Sequence, residues 1–141
     1  MKFKTKKTSE LLNPIFIVGI NPGKQRREFK TKIVWEGNKS GDYINNLIKS
    51  IPNLYLTNIC NFSKLNNKNI YKGLLKLTYD ILYYSPIKIV CLGNIPTYCC
   101  SKINILDIKI VSLKHPSYIL RFNKNKRQYE QKLLRELRTN P

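Results

Sequence analysis

Acidic residues are scarce in this chain: its 141 residues carry 8 Asp and Glu against 26 Lys and Arg, a formal net charge of +18. Codon drift can crowd a protein with Lys, Asn, Ile and Tyr, but it should raise Glu along with Lys, and Glu has not followed. The imbalance implies a polyanionic partner, nucleic acid above all, with binding that weakens steeply as salt rises. Long apolar runs are missing too, since none approaches the ~20 residues a membrane span needs. The start, Met1-Lys2-Phe3-Lys4-Thr5-Lys6-Lys7, is basic and precedes an apolar stretch. Asn13-Pro14 interrupts it and no small-residue cleavage site follows, which argues against a secretory signal. A cytoplasmic protein is expected, or a nuclear or viral one, neither secreted nor membrane-bound.

Patterned cysteine is also missing. Cys60, Cys91, Cys99 and Cys100 contain no C-x-x-C pair, and neighbours such as Cys99 and Cys100 rarely bridge one another. Cys60 and Cys91 each close an apolar run, where the thiol behaves as a small hydrophobe. A reducing compartment and no metal site are the simplest inference. G-x-G-x-x-G and the Lys-Ser/Thr of a P-loop are both lacking, which disfavours an unrelated phosphate-binding loop. Histidine occurs once, at His115.

What is present is organised around Ile15-Phe16-Ile17-Val18-Gly19-Ile20-Asn21-Pro22-Gly23. An unbroken apolar run of this kind suits a strand covered on both faces, as parallel sheets require. Gly19 allows close approach of a ligand, Pro22 fixes φ, and Gly23 can take φ > 0. Asn21 stands between them at the mouth of the sheet, where open α/β sheets bind their ligands.

Downstream, strands and helices alternate. Lys24 to Lys32 is a basic loop or short helix, and Ile33-Val34-Trp35-Glu36-Gly37 returns to apolar character. Ser40 or Asp42 is placed to cap a helix with the stripe Tyr43, Leu47 and Ile51. Leu54 to Cys60, Ile87 to Gly93 and Ile108 to Leu113 read as further strands. Helical spacing recurs at Ile70, Leu74, Leu77 and Ile81, and at Tyr129, Leu133 and Leu137. This alternation predicts right-handed crossovers and a four-stranded, mainly parallel sheet in a three-layer α/β/α arrangement. Residues 1–141 would form one domain, with 1–12 a basic N-terminal extension. The strand ends would gather Asn21, Asn58, Gly93 and His115 on one rim. Taken alone, His115 is an ordinary turn histidine; Asn21 in the first motif shifts the balance.

Gly19-Ile20-Asn21-Pro22-Gly23 resembles the first motif of the uracil-DNA glycosylase superfamily, in the form of its mismatch-specific uracil/thymine branch. His115-Pro116-Ser117 followed by Ile119-Leu120-Arg121 is similar to its second motif and DNA-wedging loop. Leu56-Thr57-Asn58-Ile59 resembles the strand whose Asn reads the base, and Trp35-Glu36-Gly37 falls where the superfamily places a stacking aromatic. The cysteine spacing does not match the iron–sulfur branches, and no cofactor is expected.

The resemblance implies a monofunctional glycosylase acting on DNA, single- or double-stranded, as a monomer. Its alternative is a relative that binds DNA or a modified base without cleavage, because Asn21 replaces a carboxylate. Catalysis would fall to Asn21, holding a water, and to His115, a neutral donor to the pyrimidine O2. Like-charge repulsion in so basic a protein would keep the imidazole uncharged. Gly19, Ile20, Pro22, Gly23, Trp35, Asn58 and Ser117 would surround the base, although Trp35 reads nearly as well as a core aromatic. Gly23 leaves open a wall that is bulky in the uracil-restricted branch, so tolerance of 5-substituted pyrimidines is expected. Glu28, Glu36 and Asp42 are rival general bases. DNA contacts would come from Lys24, Arg26, Arg27, Lys124 and Arg121, with Ile119 and Leu120 as the wedge or, at even weight, as an inward-packed helix start. Lys126 and Arg127 extend the basic track, and Tyr83-Tyr84 is assigned to packing.

Overall fold

Strand β1 (Ile15–Gly19) is buried at all five positions, as the unbroken apolar run demands of a strand covered on both faces. It pairs with β2 (Leu54–Asn58) on one side and β3 (Lys88–Leu92) on the other, and β3 carries β4 (Lys109–Leu113). Every pairing is parallel, so each connection has to cross over. Helices α1 (Lys39–Ile48), α2 (Asn67–Tyr84) and α3 (Asn94–Ser101) occupy those connections, and α4 (Pro116–Phe122) and α5 (Lys126–Arg138) follow the last strand. The computed structural model describes residues 11–20, 39–59, 66–103, 107–122 and 125–138.

The period-2 alternation of the strands divides the core into two layers. Ile15, Ile17, Leu54, Val90, Leu92 and Leu113 pack against Ile44 and Ile48 of α1, Ile119 of α4, and Tyr129, Leu133 and Leu137 of α5. On the opposite face Phe16, Val18, Tyr55, Ile89 and Cys91 meet Leu77 and Ile81 of α2 and Cys99 and Cys100 of α3. This is the expected three-layer α/β/α domain. Phe16, Ile17 and Val18 have no exposed surface, and burial of such side chains contributes about 1.5–3 kcal/mol each. Cys91 behaves as the expected small hydrophobe.

Several local expectations shift. Ser40 and Asp42 lie inside the first turn of α1 rather than capping it, because the helix already begins at Lys39. Its buried stripe is Gly41, Ile44 and Ile48, with Tyr43 and Leu47 on the shoulders and Ile51 buried beyond the helix end. The turn expected after His115 is instead the start of α4, with Pro116 at the first helical position, where the missing N–H costs nothing. Of the tyrosine pair, Tyr84 stacks on Tyr55 at 4.8 Å, whereas Tyr83 is 77% exposed and touches only the edge of Tyr84 among the ring contacts.

One charge lies where the strand pattern gives no warning of it. Lys88 opens β3 with a fully buried side chain, and its Nζ donates to the Glu136 carbonyl at 2.8 Å and to Glu136 Oε1 at 3.1 Å. Burial alone would raise the Glu136 carboxyl, but the Lys88 bond and charge, with Lys109 and Arg135, hold it below the ordinary value. The closing helix is thereby tied to the sheet.

Candidate active site

Parallel register brings the carboxyl ends of the strands level. Gly19 stands opposite Asn58, and the Ile59 N–H donates to the Gly19 carbonyl at 2.9 Å. On the other side the Gly93 N–H donates to the Leu113 carbonyl at 2.7 Å. Asn58 falls on the same face as Leu54 and Leu56, four and two residues earlier, and so points to the α1 side; it is 4% exposed. His115 follows Leu113 by two residues and reaches the same edge.

Two features orient His115. Gly93 has φ +110°, and a Cβ there would lie 3.4 Å from His115 Cβ and 3.8 Å from Cδ2. Those are ordinary contact distances, so it is the backbone conformation, which only glycine adopts without strain, that reserves the position beside the imidazole. On its other side the ring nitrogen Nδ1 accepts from the Ser117 backbone N–H at 3.1 Å and lies 2.7 Å from Ser117 Oγ. A backbone N–H can only donate, so Nδ1 carries no proton and the neutral ring holds its hydrogen on Nε2. Burial lowers the His115 pKa. The neutral ring is thus favoured by desolvation, not by the surrounding positive charge expected from the sequence.

Gly19, Ile20, Asn58, Leu92, His115 and Pro116 line one small cavity of about 40 Å³, closed by Ser40, Gly41 and Ile44 of α1. The residues Gly19, Ile20, Asn58 and His115, drawn from three distant stretches of sequence, thus converge. Asn21, Pro22, Gly23, Lys24, Arg26, Arg27, Glu28, Trp35, Glu36, Cys60 and Lys124 lie outside the described residues, as do residues 1–10 of the N-terminal extension. The contribution of α1 has no counterpart in the motifs. Its first turn faces the cavity, which puts the positive end of the helix dipole at the rim. The only sequence signal for it is the small pair Ser40-Gly41, which permits close approach. Asp42, one residue on, is exposed and is not part of the lining.

One assignment changes and one alternative is decided. Ser117 bonds the His115 ring instead of lining the cavity. Ile119 is 3% exposed within the core, the inward-packed one of its two expected placements. The reason is helical: in α4, positions 118, 121 and 122 share a face, and residue 119 points elsewhere. That outward face carries Tyr118 and Phe122, 40% and 52% exposed with ring centroids 4.9 Å apart, along with exposed Arg121. Leu120 is half-buried, and Lys126 and Arg127 are exposed.

Fold and site together define an α/β protein with a cavity at the carboxyl edge of a parallel sheet, the place where open α/β sheets bind ligands. The chain belongs to the uracil-DNA glycosylase superfamily: the family model described as Uracil DNA glycosylase superfamily matches residues 7–138. Membership supports DNA glycosylase-type activity in general and DNA as the partner. No curated protein matches the chain. Among the described residues no helix is long and apolar enough to cross a membrane.

Proposed function

We propose that this chain is a monofunctional DNA glycosylase that excises uracil or a related 5-substituted pyrimidine by base flipping and hydrolysis of the N-glycosidic bond. The observation that carries the reading is the shared cavity of Asn58 and a His115 whose Nδ1 is committed to Ser117, leaving Nε2–H to donate. A base cannot be attacked within its stack, so the nucleotide is everted and its Watson–Crick edge is read in a pocket. The Asn58 amide offers both a donor and an acceptor to the O4/N3–H edge of uracil. Asn21 holds a water against C1′, and Trp35 supplies a stacking face.

The water oxygen bonds to C1′ as the glycosidic bond breaks, and that bond's electron pair leaves with the base. The His115 Nε2–H meets the negative charge growing on O2, and the water's proton passes to solvent. Such a preorganised donor is worth about 3 kcal/mol. The cavity among the described residues has room for water rather than a whole pyrimidine.

Incubation with a uracil-containing oligonucleotide, followed by alkaline cleavage of abasic sites, tests the proposal. Wild type should yield the cleaved strand, and His115→Ala should slow excision about 10²- to 10³-fold. Tight binding of uracil DNA without any cleavage would overturn it in favour of a non-catalytic binder, a reading that the Asn21 amide in place of a carboxylate favours. Parallel substrates carrying 5-hydroxymethyluracil, or thymine opposite guanine, test the tolerance attributed to Gly23.

A further inference from the structure

A second and larger recess opens on the other side of α4. It measures about 390 Å³, and its lining includes Asn94, Lys114, Tyr118, Asn125, Gln128 and Lys132. Three primary amides in one recess offer donors and acceptors together, the chemistry suited to a base edge. Two lysines supply charge for phosphate, and no described residue of the lining is acidic. Tyr118 supplies the ring, with the Lys114 ammonium 4.4 Å from its centroid. A stacking surface, amides and cations in one recess match how unpaired nucleotides are held.

Its position is as informative as its composition. Lys114 and His115 are consecutive, yet the first lines this recess and the second lines the small cavity. The two spaces therefore adjoin along the chain, one on Lys114 and the other on His115 at the start of α4. Duplex DNA would keep the neighbouring base stacked and paired, and unavailable to such a recess.

We propose that this recess takes the base of an unpaired nucleotide next to the everted one, so that the protein engages single-stranded DNA and responds to the base flanking the target. The proposal rests on reading the His115 cavity as the excision site, and its test separates the two. Anisotropy titrations compare a short uracil-free single strand with a backbone of equal length and charge that carries abasic residues throughout. The base-bearing strand should bind wild type about 5- to 100-fold more tightly, and Tyr118→Ala should remove most of that preference. Gln128→Ala should keep the preference for bases and alter its ranking among them.

In a second arm, excision is measured on single strands whose uracil is flanked by a normal base or by an abasic residue, on either side. One flank should matter and the other should not. Equal affinity for both strands, or a preference that survives Tyr118→Ala, overturns the proposal. Base-preferring binding without any excision leaves the recess standing and defeats the proposed activity instead.

Discussion

The Ser117 hydroxyl is the sharpest probe of how the imidazole is held. Nδ1 of His115 has two partners on Ser117, the backbone N–H at 3.1 Å and Oγ at 2.7 Å. Ser117→Ala deletes the second and spares the first, so the Nε2–H tautomer persists while the ring loses one restraint. A single hydrogen bond of this kind is worth about 1 kcal/mol net, or roughly a fivefold loss in kcat/KM. His115→Ala should cost about 10²- to 10³-fold. Single-turnover excision across mildly acidic to neutral pH measures both.

The His115 pKa lies below its ordinary value, so the folded state favours the neutral ring. Stability from that preference is complete above the ordinary histidine pKa and is lost as pH falls through the lowered one. Activity should fall over the same acid limb, because a proton on Nδ1 ejects the Ser117 N–H. The limb should persist in Ser117→Ala and be absent from the residual rate of His115→Ala. If Ser117→Ala is as damaging as His115→Ala at unchanged thermal stability, the hydroxyl acts on substrate and the orienting role is wrong.

Two further substitutions test the frame around the site. Gly93→Ala forces an L side chain to φ +110°; urea denaturation should show a loss of about 1–3 kcal/mol, and unchanged stability would contradict the backbone strain assigned to that position. Glu136→Gln removes the counter-charge of the fully buried Lys88 ammonium, which keeps its bond to the backbone carbonyl of residue 136, and should cost about 2–3 kcal/mol, less than an enclosed pair because Glu136 sits at the rim. Lys88→Met should stay within about 1 kcal/mol of wild type. Since the Glu136 carboxyl is held below its ordinary value, the pair stabilises above about pH 4.5 and fades as pH falls through the lowered value, so Lys88→Met should flatten the acid side of the stability curve. Equal losses in the two variants would refute that account.

Strand positions were the most legible part of the fold. An apolar run such as Ile15 to Val18 admits few alternatives in a chain of this size, and turn residues bound each strand. Parallel connectivity followed from the alternation with helices. The site was legible to the extent that its members sit at strand ends: Gly19, Asn58 and His115 each follow an apolar run, and level register makes their convergence a geometric consequence. Ser40 and Gly41 were not, because nothing local tells which turn of α1 faces the cavity.

Sequence alone therefore determined the layers, the order of the motifs and the sign of the partner's charge, since these depend on local periodicity and on composition. Tertiary structure decided which side chains touch. The Nε2–H tautomer of His115, the inward turn of Ile119, the outward Tyr118 and Phe122, and the Lys88–Glu136 bond across 48 positions all depend on helix phase and long-range packing. Neither is encoded in any short window of residues, because each is set only when distant elements compete for the same buried volume.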